Sequence, residues 1–148
     1  MRKPVSRILV INDERLVLRE LIKGLSAAAR TLDNPFGIVF SGVTTTREAL
    51  AAIEEDGDIQ AVVVDDKLYS ASNGNGGGAA SKAGSRKLQM SALELVQRIT
   101  RLRPQIDVYI LIAQEHEDEV VDALFTEAVD GYFYREERDY RGMYRILN

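Results

Sequence analysis

The chain has 148 residues, with 19 Lys plus Arg against 23 Asp plus Glu, a net charge of −4, one histidine and no cysteine or tryptophan. That length supports one hydrophobic core, and the missing cysteines exclude disulfides, thiolate nucleophiles and cysteine-bound zinc, so that any metal would be held by carboxylates. The longest apolar run, Val108 to Ala113, is far short of the about twenty residues of a membrane helix, no signal-peptide core follows Met1-Arg2-Lys3, and the scattered cations gather on no stretch that would grip phosphates; a cytoplasmic chain with neither membrane nor nucleic-acid partners is expected.

Ile8 to Ile11 is a short β-branched run that ends at once in Asn12-Asp13-Glu14, the pattern of a buried strand with polar groups at its carboxyl end. From Glu14 the spacing of Leu18, Leu21, Ile22 and Leu25 predicts a helix to about Arg30, broken by Asp33-Asn34-Pro35-Phe36-Gly37. Ile38 to Phe40 reads as a second strand. Thr45-Thr46-Arg47-Glu48 has capping-box spacing and opens a helix that Asp56-Gly57-Asp58 closes. Ala61 to Val64 is a third strand, again ending in acids, Asp65-Asp66.

Composition then changes: residues 70–87 are rich in Gly, Ser and Asn, cannot bury a core, and are expected to form a flexible loop. Within it Gly74 to Ala79 matches the G-x-G-x-x-A dinucleotide pattern, but it leads into polar residues instead of a helix, so a linker is the better reading. Ser91-Ala92-Leu93-Glu94 is a second capping box, followed by Leu95, Val96, Ile99 and Leu102 at helical spacing and a stop at Pro104. Val108 to Ala113 is the fourth strand, Glu117 to Ala128 a helix, Tyr132 to Tyr134 the fifth strand, and Tyr140 to Leu147 a final amphipathic helix that breaks off after about two turns. His116 reads as an exposed residue at a helix start, Arg135 to Asp139 as a solvated charged surface, and Tyr132 and Tyr134 as either core or partner face.

Alternation of strands and helices predicts an α/β three-layer sandwich on a five-stranded parallel sheet, of flavodoxin-like order 2-1-3-4-5, as one domain over 1–148. Ligands in such sheets bind beyond the carboxyl ends of the strands, where Asp13 and Asp65 both fall. There they could share Mg²⁺ with a carbonyl near Lys67, with Asn12 or Glu14 holding a metal-bound water, and Asp65 would be placed to accept a phosphoryl group. The competing reading is that these carboxylates merely end strands and cap helices.

The stretches Ile8 to Glu14, Val62 to Asp65 and Asp130 to Arg135 resemble the signature segments of response-regulator receiver domains. The resemblance implies Asp65 as phosphoacceptor, a metal set of Asp13, Asp65 and Lys67, and a supporting pocket of Asn12, Glu14, Asp66 and Arg135, with a histidine kinase as partner. It is incomplete: Asn12 replaces an acid, Ile112 or Ala113 stands where a hydroxyl is expected, and Arg135 stands in place of a lysine. These departures imply a pseudo-receiver, with no catalytic residue of its own. The downstream stretches Ser91 to Val96, Pro104 to Leu111 and Val129 to Phe133 also resemble the amino-terminal wing of bacterial Orn/Lys/Arg decarboxylases. This second resemblance implies a non-catalytic, homo-oligomer-building part of a longer chain, with pyridoxal phosphate (PLP) bound only in a downstream decarboxylase domain.

Overall fold

The computed structural model describes residues 6–32, 37–65, 92–113, 129–135 and 137–147. These residues form β1 (Arg7–Ile11), α1 (Arg15–Thr31), β2 (Val39–Val43), α2 (Thr46–Glu55), β3 (Ile59–Asp65), α3 (Ala92–Leu102), β4 (Asp107–Ile112), β5 (Gly131–Tyr134) and α4 (Tyr140–Leu147). The loop expected at 70–87, the Ser91 capping box and the helix expected at Glu117 to Ala128 lie outside the described residues.

The five strands are all parallel and run in the order β2-β1-β3-β4-β5, as the alternating pattern predicts. Register places Val10 between Gly42 and Val63, and Leu111 between Asp65 and Phe133. Both faces of the sheet are covered. Leu9, Ile11, Val62, Val64, Ile110 and Ile112 pack toward α2 and α3, while Ile8, Val10, Val63, Leu111 and Phe133 pack toward α1 and α4. The strict alternation of adjacent residues between two buried layers explains why these strands read as continuous apolar runs.

Element ends differ by one to three residues from the sequence expectation. β2 runs on to Val43 because Ser41 and Gly42 pair with Leu9 and Val10 despite their weak strand propensity. β3 starts earlier, at Ile59, where that buried side chain joins the α2 and α3 layer. Glu14 is the residue before α1, not within it, and its side chain makes no cap bond. At α2 the Thr45 hydroxyl accepts from the Glu48 N–H at 3.0 Å, as the capping box predicts. The return bond goes one residue further back, with the Thr44 N–H donating to Glu48 Oε1 at 3.2 Å.

One structural tie left no mark in the sequence patterns. The Arg103 guanidinium, just past α3, donates to the carbonyls of Ile53, Asp56, Gly57 and Ile59 at 3.0 to 3.3 Å. It satisfies the orphan carbonyls at the end of α2 and fixes the turn into β3. Arg7 pairs with Asp56 at the same end of the sheet.

Candidate functional site at the carboxyl edge of the sheet

Parallel strands bring all their carboxyl ends to one edge, so residues far apart in sequence meet there. Asp65, the last residue of β3, is 1% exposed, and Asn12, the first residue past β1, is fully buried. Asn12 Nδ2 donates to Asp65 Oδ2 at 2.5 Å. On the other side Arg135, the first residue past β5, donates from Nη2 to Asp65 Oδ1 at 2.6 Å. The carboxylate is thus held between a neutral amide and a guanidinium. Charge-assisted bonds of this length are among the stronger polar contacts in proteins, and burial lowers the dielectric around them.

The orientation of the Asn12 amide is fixed from both ends. Its Oδ1 accepts from the Glu14 N–H at 2.8 Å, which leaves the NH₂ group aimed at Asp65. Turning the amide over would set NH₂ against an N–H and a carbonyl oxygen against a carboxylate. Arg135 is positioned by the sheet itself: its N–H donates to the Ile112 carbonyl at 2.7 Å, one step beyond the last β4–β5 pair, Ile112 with Tyr134.

Of the residues expected to share the site, Asn12, Asp65 and Arg135 come together. Asp13 and Glu14 lie on the loop that follows β1 and are exposed. Asp66 and Lys67 lie outside the described residues, as does His116. Ile112 is fully buried in the α2 and α3 layer, and Ala113 is buried at the strand end. Neither brings a hydroxyl to Asp65. Tyr132 and Tyr134 are half-buried against the same layer, their rings edge to face at 5.5 Å, so both contribute to packing.

A receiver-type Mg²⁺ site needs oxygen atoms turned toward one point. Among the described residues no three His, Asp or Glu gather so as to hold a metal ion. Both Asp65 oxygens accept from N–H donors, Asn12 presents nitrogen instead of oxygen, and a guanidinium already supplies the positive charge. The described residues, as arranged, do not fit the ion.

Sequence reasoning singled out Asn12 and Arg135 as departures from a pattern but missed that they bond to the same carboxylate. A chemical signal was available: an amide and a guanidinium at two strand ends on the same edge of the sheet offer donors of the kind a buried carboxylate requires.

No family model matches the chain, and no curated protein matches it. Solved structures do. A CheY-like response-regulator receiver domain protein from Methanospirillum hungatei superposes with a TM-score of 0.68 at 18% identity, covering 97% of this chain and 90% of that one. A LuxR-family DNA-binding response regulator from Staphylococcus aureus matches at TM-score 0.67 and 15% identity, over 97% and 96%. An orphan response regulator of H. pylori matches at TM-score 0.66 and 18% identity, over 99% and 96%. The chain has the flavodoxin-like CheY fold.

Proposed function

We propose that this chain is a receiver-type signalling domain that works through contacts with other proteins, with Asp65 serving as a buried, guanidinium-bound carboxylate in place of a Mg²⁺-dependent phosphoacceptor. The observation that carries this reading is the engagement of both Asp65 oxygens by Asn12 and Arg135 at 2.5 and 2.6 Å. A phosphodonor needs an exposed carboxylate oxygen, and here the residue is 1% exposed. Arg135 would supply the charge that a metal and a lysine supply elsewhere, and Ile112 or Ala113 removes the hydroxyl that would read a bound phosphoryl group.

A second reading has specific support. Asp65 closes the third strand of a receiver fold, and the solved structures that share this fold include a receiver domain described as BeF3-activated. Under that reading Asp65 accepts a phosphoryl group, Asp13 and Lys67 assist with Mg²⁺, and a histidine kinase is the donor. The decarboxylase-wing reading, with homo-oligomer assembly and a PLP domain further along, uses the same fold, but the solved structures named above are response regulators.

Acetyl phosphate with Mg²⁺, read by intact mass, separates the first two. The expected result is no gain of a phosphoryl group under conditions that label a working receiver. A gain that disappears in Asp65→Asn would overturn the proposal and establish the phosphoacceptor.

A further inference from the structure

Between α1, the ends of β4 and β5 and the start of α4 lies a cavity of about 120 Å³. Its inner wall is apolar and buried, with Leu21 from α1, Leu111 from β4 and Met143 from α4. Val17, Glu20 and Leu21 stand at i, i+3 and i+4, so one face of α1 supplies both an apolar wall and an acid. Tyr140 adds a further wall. Its ring comes close to α1 only because residue 24 is glycine, where a Cβ would lie 2.5 Å from the ring.

Charge is confined to the outer part of this cavity. Glu20 and Arg138 both line it and both are exposed, one on α1 and the other in the turn that leads into α4. Among the described residues no ion pair engages either of them, so an acid and a base share one cavity without bonding to each other. Arg135 is a half-buried part of the same wall and adds positive charge, although its Nη2 donates to Asp65. Arg138, at φ +50°, holds a left-handed conformation uncommon for a residue with a side chain. Backbone held in this way is concentrated at ligand clamps, where a side chain must be aimed.

We infer that this cavity binds a small apolar α-amino acid such as leucine, with its side chain against Leu21, Leu111 and Met143, its carboxylate at Arg138 and its ammonium at Glu20. Small-molecule sites combine an apolar lining with a few polar groups that fix orientation, and here the polar groups are one cation and one anion. An apolar cavity of about 150 Å³ holds benzene, so this one has room for a branched side chain of roughly three or four carbons. A simple carboxylate would bring a like charge to Glu20, and a simple amine would bring one to Arg138. Inorganic phosphate would leave the apolar wall unfilled. A nucleotide is too large, since sites for ligands of that size span about 300–1,000 Å³. Binding here uses neither oxygen of Asp65 and is independent of whether that residue takes a phosphoryl group.

Isothermal titration of the full chain with L-leucine, alongside thermal melts, tests it. Saturable binding of one leucine per chain is expected, and the melting temperature should rise by about 3–5 °C at ten times the dissociation constant. Affinity should fall about fivefold or more in Glu20→Gln and in Arg138→Gln, which each remove one charged partner, and be unmoved by Arg101→Gln on α3. 4-Methylpentanoate, which lacks the ammonium, and 3-methylbutylamine, which lacks the carboxylate, should each bind more weakly than leucine. Val17→Trp should abolish binding by filling the cavity, with circular dichroism verifying that the fold persists; the exposed Glu20 and Arg138 variants decide the matter if it does not. Absence of leucine binding, equal binding of either analogue, or unchanged affinity in both Glu20→Gln and Arg138→Gln would overturn the inference.

Discussion

Asn12 shows how one atom changes what a site can do. An aspartate there would place a second negative charge beside buried Asp65. The amide instead donates to it, and Arg135 adds a charge-assisted bond from the other side. Removing that cation takes a charged donor from a buried carboxylate, so Arg135→Ala should cost about 1.5–3 kcal/mol in chemical denaturation. The double variant Arg135→Ala/Asp65→Asn should cost less than the sum of the two single changes, because the two side chains share one bond. A loss below about 0.5 kcal/mol, the range of a neutral surface substitution, would show that the pair does not form in solution. The presence of Asn12 and Arg135 at strand ends was legible in the sequence. Their common bond to Asp65 was not, because it depends on which strands are neighbours and on the direction of an amide that Glu14 fixes.

Helices and strands were legible wherever apolar spacing set them. The run Ile8 to Ile11, the stripe Leu18, Leu21 and Leu25, and the Thr45 cap all appear as expected. What escaped was how one element holds another. Arg103 looked like an ordinary cation before Pro104, yet its fork gathers four carbonyls from the α2–β3 turn. Replacing it by alanine should lower stability by about 1–3 kcal/mol, since buried acceptors lose their donors, and lysine should restore little, because an ammonium cannot span the same set. Equal stability of Arg103→Lys and the parent in urea would show that a single bond suffices. Strand ends were less legible for a related reason: Ser41 and Gly42 join β2 through pairing with β1, which local propensity cannot report.

For the molecule as a whole, two carboxylates at the amino edge of the sheet set opposing pH dependences. The Asp58 N–H, together with Arg7, holds the Asp56 carboxyl below its ordinary value. Burial, with the Asp130 charge beside it, pushes Asp107 up. Asp56 therefore stabilises the fold above the ordinary carboxylate range, and that contribution is lost as pH falls through its depressed pKa. The contribution of Asp107 has the opposite sign: it is fully present below the ordinary carboxylate pKa and is lost as pH rises through the elevated one. Thermal melts should show Asp56→Asn less stable than the parent at pH 7 and converging with it in acid, and Asp107→Asn more stable at pH 7 with the gain vanishing in acid. Reversal of either trend would refute the assignment. The overall topology was the most legible feature of all, because short apolar runs alternating with amphipathic helices admit few other arrangements. The Asn12–Asp65–Arg135 chain also has a mechanical meaning. β1 and β5 never touch in the sheet, yet through Asp65 the residues that follow them are tied together across the four strands β1, β3, β4 and β5. A pull on the turn after β5 would therefore be felt at the loop that opens α1, and the two ends of the α1–α4 face are coupled by a cord of three side chains.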